Sequence, residues 1–231
     1  MNDNKDLDIY CLSFDNKLRK STMFSKFKNF NNIVKFYKGV GFDDKRMFIK
    51  DTALSCMLGH MDMIKDFYNN SQDKYAIFCE DDIVIHKNLN DIVNQLINNK
   101  SQDFDIILLG YLLNYKLSSS DHSKKNSIND KYDLHSYNDE LWGAQMYLIS
   151  RTYAKYLIEN FDLSYAIKSK VFPETHTVYS SDWIITKKTN NRFLVYPPLC
   201  LENGDIQKYD HLGQYNFHKI CYDLHINTDF I

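Results

Sequence analysis

The sequence predicts an α/β protein: a mainly parallel, Rossmann-like sheet with helices on both faces, built as one domain over residues 1–231. Two observations carry this. Short apolar runs alternate with segments whose apolar residues recur at helical spacing, the order from which parallel sheets covered on both sides are made. No internal repeat and no flexible linker divides the chain, and 44% hydrophobic residues supply ample core.

The elements follow in order. Leu7 to Phe14 reads as a first strand, Lys17 to Lys28 as a basic helical stretch and Ile33 to Tyr37 as a second strand, a β-α-β opening. From Thr52 to Tyr68, Leu54, Met57, Leu58, Met61, Ile64 and Tyr68 recur on one helical face. Tyr75 to Cys79 is a buried strand; Leu89, Ile92, Val93, Leu96 and Ile97 mark a helix, and Ile106 to Leu109 another strand. The polar segment 118–138 lacks periodicity and reads as a long mobile loop, of the kind that lies over a site. Ala144 to Ile149 is a strand, after which Ser150 caps a helix carrying Tyr153, Ala154, Leu157, Ile158 and Phe161. A short helix at Ser181 to Lys188 and a strand at Phe193 to Tyr196 follow, and the last thirty or so residues show no clear period.

A formal charge of -2 gives no basic field, which argues against nucleic acid or a membrane surface as a default partner. The 5 cysteines are odd in number and lack CxxC spacing, as expected of reduced thiols in a cytoplasmic or other reducing compartment. The polar start MNDNKDLD has no signal-peptide pattern, and no apolar stretch is long enough for an integral membrane segment.

The most informative feature is Glu80, Asp81 and Asp82, which end the apolar run of KYAIFCEDDIVIH. Adjacent carboxylates repel and resist desolvation, so a divalent cation is the simplest compensation. Period two puts Glu80 and Asp82 on one side of a strand and Asp81 on the other, and the strand's carboxyl end is where open α/β sheets bind ligands. Hard oxygen donors suit Mg²⁺ or Mn²⁺, ions that neutralise a leaving diphosphate. A solvated turn is the alternative from the triplet alone.

Four segments in order, CLSFDNKLRKSTM, ALSCMLGHMDMIKDF, AIFCEDDIVI and LWGAQMYLISRTYAKYLI, resemble glycosyltransferase family 25, the lipooligosaccharide and procollagen galactosyltransferases. The resemblance covers residues 7 to 161 and continues weakly through SSDWIITKK and VYPPL. It implies a glycosyltransferase A fold, a UDP-sugar donor carrying galactose or glucose, a glycan or protein hydroxyl acceptor, a Mn²⁺ requirement with Mg²⁺ as the substitute, and inversion at the anomeric carbon. It also implies metal ligation by Glu80 and Asp82, with Asp82 the stronger ligand. Asp81, Arg19, Ser13, His60 and Gly143 would serve the donor, and Asp182, with Glu140 as its rival, would take the acceptor's proton. The chain departs from the family pattern where Ser55 replaces a glycine and Gly59 replaces the serine before His60.

Outside the matched segments, His211 or His218 is a candidate to complete the metal site, His211 being preferred. Trp142 and Trp183 suit either sugar stacking or packing. The main expectation is thus a metal-dependent glycosyltransferase. Its rivals are a degenerate sugar-binding or assembly module, suggested by the altered Ser-His signature, and a metal-dependent phosphohydrolase.

Overall fold

The computed structural model describes residues 7–13, 17–28, 30, 33–98, 103–117, 124–203 and 212–231, except the side chains of 124 and 125. The described elements are β1 (Ile9–Ser13), α1 (Lys17–Phe27), β2 (Val34–Lys38), α2 (Thr52–Asn70), β3 (Tyr75–Glu80), β4 (Ile83–Ile85), α3 (Leu89–Asn98) and β5 (Ile106–Leu112). They continue with β6 (Lys124–Ser127), β7 (Asp133–Ser136), β8 (Trp142–Ser150), α4 (Arg151–Asn160), α5 (Leu163–Val171), α6 (Ser181–Thr186), β9 (Arg192–Tyr196), β10 (Cys200–Glu202) and α7 (Leu212–His225). One sheet runs β2-β1-β3-β8-β5-β9-β7-β6, with β10 joining β5 to β4.

The pairs β1–β2, β1–β3 and β5–β9 are parallel, whereas β8 runs antiparallel to both β3 and β5 in the middle of the sheet. Period-two alternation divides the interior into two faces. Tyr10, Leu12, Ala76, Phe78, Tyr147 and Ile149 pack toward α2, α4 and α6. Ile9, Cys11, Ile77, Cys79, Met146 and Leu148 pack toward α1 and α3. The expected three-layer architecture follows from these two apolar faces.

Local chemistry explains the helix starts. Asp51 accepts from the amides of Ala53 and Leu54, at 2.8 and 3.3 Å, and Ser150 accepts from Tyr153 N at 3.1 Å. Of the segment 118–138 expected to be a mobile loop, residues 118–123 lie outside the described residues; the rest includes the antiparallel pair β6–β7, and β7 extends the sheet by pairing with β9. Two four-residue strands of mostly polar residues give no apolar run to read, although β7 buries Leu134 in the core and His135 beside it. The aperiodic C-terminal stretch likewise contains α7, in which Cys221 is the buried residue; a helix lying on the surface needs no continuous apolar stripe.

Gly59 has a packing reason. A Cβ there would lie 2.7 Å from Leu12 Cδ1, so the β1 side chain occupies the space that the family's serine would need. Ser55, in the glycine position, donates to the Val40 carbonyl at 2.5 Å and anchors α2 to the loop after β2. Gly59→Ser should therefore cost about 1–3 kcal/mol by overpacking. In a Leu12→Ala background the same change should cost measurably less; equal costs in urea denaturation of the two backgrounds would show that Leu12 is not the obstacle.

Candidate functional site

The carboxyl ends of β1 and β3 lie side by side, with Leu12 in register with Glu80, and this delivers the acidic triplet to one edge of the sheet. Its members then diverge. Asp81 is buried at 7% exposure, accepting from Ser13 Oγ at 2.7 Å and from Arg19 at 3.1 Å. Asp82 lies 3.6 Å from the same guanidinium. Glu80 turns to α2, where Oε1 is 3.3 Å from His60 Nε2 and 3.5 Å from Cys56 Sγ.

Glu80 and Asp82 line a cavity of about 450 Å³ together with Cys56, Gly143, Gln145, Ser181, Asp182, Glu202, Gln214, Phe217 and His218. Glu202 enters from β10, whose pairing with β4 sets it opposite Ile83, while Asn203 N donates to the Asp82 carbonyl at 2.7 Å. His218 on α7 contacts Glu202 at 2.8 Å, and Gln145 donates to the same carboxylate at 3.3 Å. The C-terminal tail helps place α7, since Ile85 and Ile231 exchange backbone hydrogen bonds.

Burial, and after it the Glu80 charge, raise the Asp182 pKa above the usual carboxylate range; His60 and the Gly143 amide oppose the rise. Gly143 supplies that amide at a positive φ of 116°, where a Cβ would come within 2.9 Å of Tyr111 Cα. Burial also raises the Cys56 thiol well above its ordinary range, and Glu80 adds to the effect. Trp142 forms the border with a second cavity of about 640 Å³, which contains Glu140, Asn114, Tyr115 and Tyr137. Lys187 lies over Trp142 and Trp183, 3.7 and 4.4 Å from the ring centroids, and donates to the Asp139 carbonyl.

The expected residues thus fall into distinct places. Glu80, Asp82, Asp182 and Gly143 share the acidic cavity. Glu140 lines its neighbour. Ser13, Asp81 and Arg19 form a bonded network beside the cavity. His60 is fully buried behind Glu80 and also contacts Tyr147 OH at 2.8 Å. His211 lies outside the described residues. Glu202 was not anticipated; its only signal is that CLE, like AIFCE, is a short apolar run ending in an acid.

Glu80, Asp82 and Glu202 bring carboxylate oxygens to this cavity, the donor type that suits Mg²⁺ or Mn²⁺, and His218 adds an imidazole beside Glu202; among the described residues their ligand atoms are not drawn together within 4.8 Å. Each is engaged by protein, Glu80 with His60, Asp82 with Arg19 and Glu202 with His218. Such partners offset the repulsion that gathering these acids creates.

Residues 28–171, more than half of the chain, match glycosyltransferase family 25 (LPS biosynthesis protein), and the chain belongs to that family. No curated protein sequence matches it. Among solved structures it is similar to A197 from STIV, at 9% identity and a TM-score of 0.41, over 81% of each chain. It is also similar to a glycosyltransferase involved in the glycosylation of the major capsid of PBCV-1, at 7% identity and TM-score 0.39, over 74% of this chain and 80% of that one. A third is HddC from Yersinia pseudotuberculosis, at 14% identity and TM-score 0.39, over 94% and 77%. Among the described residues, no helix is long and apolar enough to cross a membrane.

The raised Asp182 pKa has a consequence for stability. The folded state holds this proton more tightly than the unfolded chain, so stability is greatest below the unfolded pKa and is lost as pH rises through the folded one. Asp182→Asn removes that dependence. In metal-free buffer its stability relative to wild type should rise from about pH 4 to about pH 7. Denaturation curves with the same difference at both pH values would contradict the raised pKa.

Proposed function

We propose that the chain is a divalent-cation-dependent glycosyltransferase that moves a hexose, galactose or glucose, from a UDP-sugar to a hydroxyl of a glycan or protein acceptor, with inversion. The observation that carries this reading is the gathering of Glu80, Asp82, Asp182 and Glu202 around one cavity. Family membership supports glycosyl transfer, and the donor, metal and sugar are our extension of it.

Glu80, Asp82, Glu202 and His218 would hold Mn²⁺ or Mg²⁺. When bound, the ion neutralises the negative charge of the departing diphosphate. Arg19 adds fixed positive charge next to Asp81 and Asp82 and, with Ser13, holds Asp81 at the cavity's edge. Asp182 accepts the acceptor hydroxyl's proton: its environment raises its basicity, and the Gly143 amide holds its carboxylate in place. The exposed face of Trp142 offers a sugar a stacking surface, while Lys187 lies over the same indole. Glu140 is the weaker base because it lines the neighbouring cavity, apart from Glu80 and Asp82.

The degenerate-module reading drew on the missing serine before His60. Leu12 accounts for Gly59, and His60 keeps its contact with Glu80, which favours the catalytic reading.

Purified protein with Mn²⁺ and a panel of UDP-sugars should release UDP, slowly even without an acceptor; neither binding nor turnover of any nucleotide-sugar would sink the proposal. Asp82→Ala should stay folded and lose cation-dependent UDP binding, measured by calorimetry. Once an acceptor is found, Asp182→Asn should lower kcat by about 100-fold or more, against a much smaller effect of Glu140→Gln. The reverse order would make Glu140 the base.

A further inference from the structure

Through its contacts with α2, Glu80 also meets two side chains, Cys56 and His60, to which the transfer chemistry gives no role. Cys56 and His60 are one helical turn apart and face the end of β3. Their Sγ and imidazole nitrogen, with one Glu80 carboxylate oxygen, all lie within 4.8 Å of one another. Among the described residues, no other group of His, Cys, Asp and Glu brings its ligand atoms together in this way.

Two of the three separations are those of a tetrahedral Zn²⁺ site. With Zn²⁺ bonds of ordinary length, a tetrahedron has edges of about 3.5 Å between thiolate sulfur and carboxylate oxygen and about 3.4 Å between imidazole nitrogen and carboxylate oxygen. The corresponding distances here are 3.5 Å, from Cys56 to Glu80, and 3.3 Å, from His60 to Glu80. The third edge, from the Cys56 sulfur to the imidazole, lies within 4.8 Å, against about 3.6 Å in such a tetrahedron, so closing it needs a contraction of about 1 Å at most. The partner of the ring's other nitrogen is in place as well: His60 Nδ1 is 2.8 Å from Tyr147 OH, the outer contact that fixes the orientation of a metal-bound histidine. On the remaining side Cys56 and Glu80 face the cavity, where Ser181 Oγ is 3.3 Å from the sulfur, so a fourth position is open to water or a hydroxyl.

We propose that Cys56, His60 and Glu80 form a thiophilic metal site, selective for Zn²⁺ over Mg²⁺ and Mn²⁺, which shares Glu80 with the site proposed for the other cation but takes its remaining ligands from α2. Sulfur and imidazole select borderline-soft ions, whereas Mg²⁺ and Mn²⁺ prefer oxygen donors. Binding exchanges the thiol proton for the metal, the proton leaving to solvent, so affinity rises with pH. Occupation ties α2 to the end of β3 through one ion. It also engages Glu80, so Zn²⁺ would oppose use of that residue by the other cation.

Co²⁺ tests this without any glycosyl transfer, because tetrahedral cobalt bound to thiolate has a near-ultraviolet charge-transfer absorption. Reduced, chelator-treated full-length protein titrated with Co²⁺ should develop that band, saturating at about one equivalent. Zn²⁺ should abolish it and excess Mg²⁺ should not. Cys56→Ser should remove the band while its circular dichroism and melting stay those of the wild type, and Asp82→Asn should retain it. Absence of the band from the wild type, its persistence in Cys56→Ser, or its equal loss in Asp82→Asn would each overturn the assignment. Failure of the transferase reading would appear in UDP-sugar assays and leave this band unaffected.

Discussion

Carboxylates held together at the edge of an apolar sheet are the constraint on which the rest of the site depends. Three consecutive acids leave β3 at the same point, and solvent alone does not separate their charges. The fold sorts them. Ser13 and Arg19 bind Asp81, the same arginine approaches Asp82, and His60 and Cys56 receive Glu80. Glu202 brings its own partner in His218. Each acid is thus held by protein while Glu80, Asp82 and Glu202 still border one cavity.

The core reaches this site through stacked rings. Tyr37, Tyr10, Phe78 and Tyr147 form a ladder across β2, β1, β3 and β8, with successive centroids 5.8, 5.1 and 5.4 Å apart. His60 continues it beside Tyr147 and passes the contact to Glu80. Offset aromatic pairs add about 0.5–1.5 kcal/mol each beyond their buried area. Packing and polar chemistry therefore share a boundary here, and Tyr147 belongs to both: its ring stacks in the core while its hydroxyl meets the histidine.

Much of the fold was legible because burial dictates sequence pattern. α2 is readable from Leu54, Met57, Leu58, Met61 and Ile64, which pack on the sheet, and the capping role of Ser150 from its place before an amphipathic run. The antiparallel direction of β8 was not legible, since a strand buried on both faces reads alike in either sense. β6 and β7 were missed because four mostly polar residues each, with Leu134 the one apolar core residue between them, are too short to show a period, and α7 because it packs by scattered contacts. At the site, the triplet was readable as acids ending an apolar run, whereas Asp182 was named only through the family resemblance. Glu202 and the Cys56–His60–Glu80 cluster were not, because they arise from pairing between β4 and β10 and from the packing of α2 on β3, contacts that no local pattern encodes.

The central claim is that the acidic cavity binds a divalent cation together with the donor's diphosphate. Anomalous scattering from crystals grown with Mn²⁺ and UDP tests it most directly. The account predicts a manganese peak in the cavity, coordinated by Asp82 with Glu80 or Glu202 and touching the diphosphate. UDP bound with no ion beside its phosphates, or a manganese peak away from all three carboxylates, would contradict it.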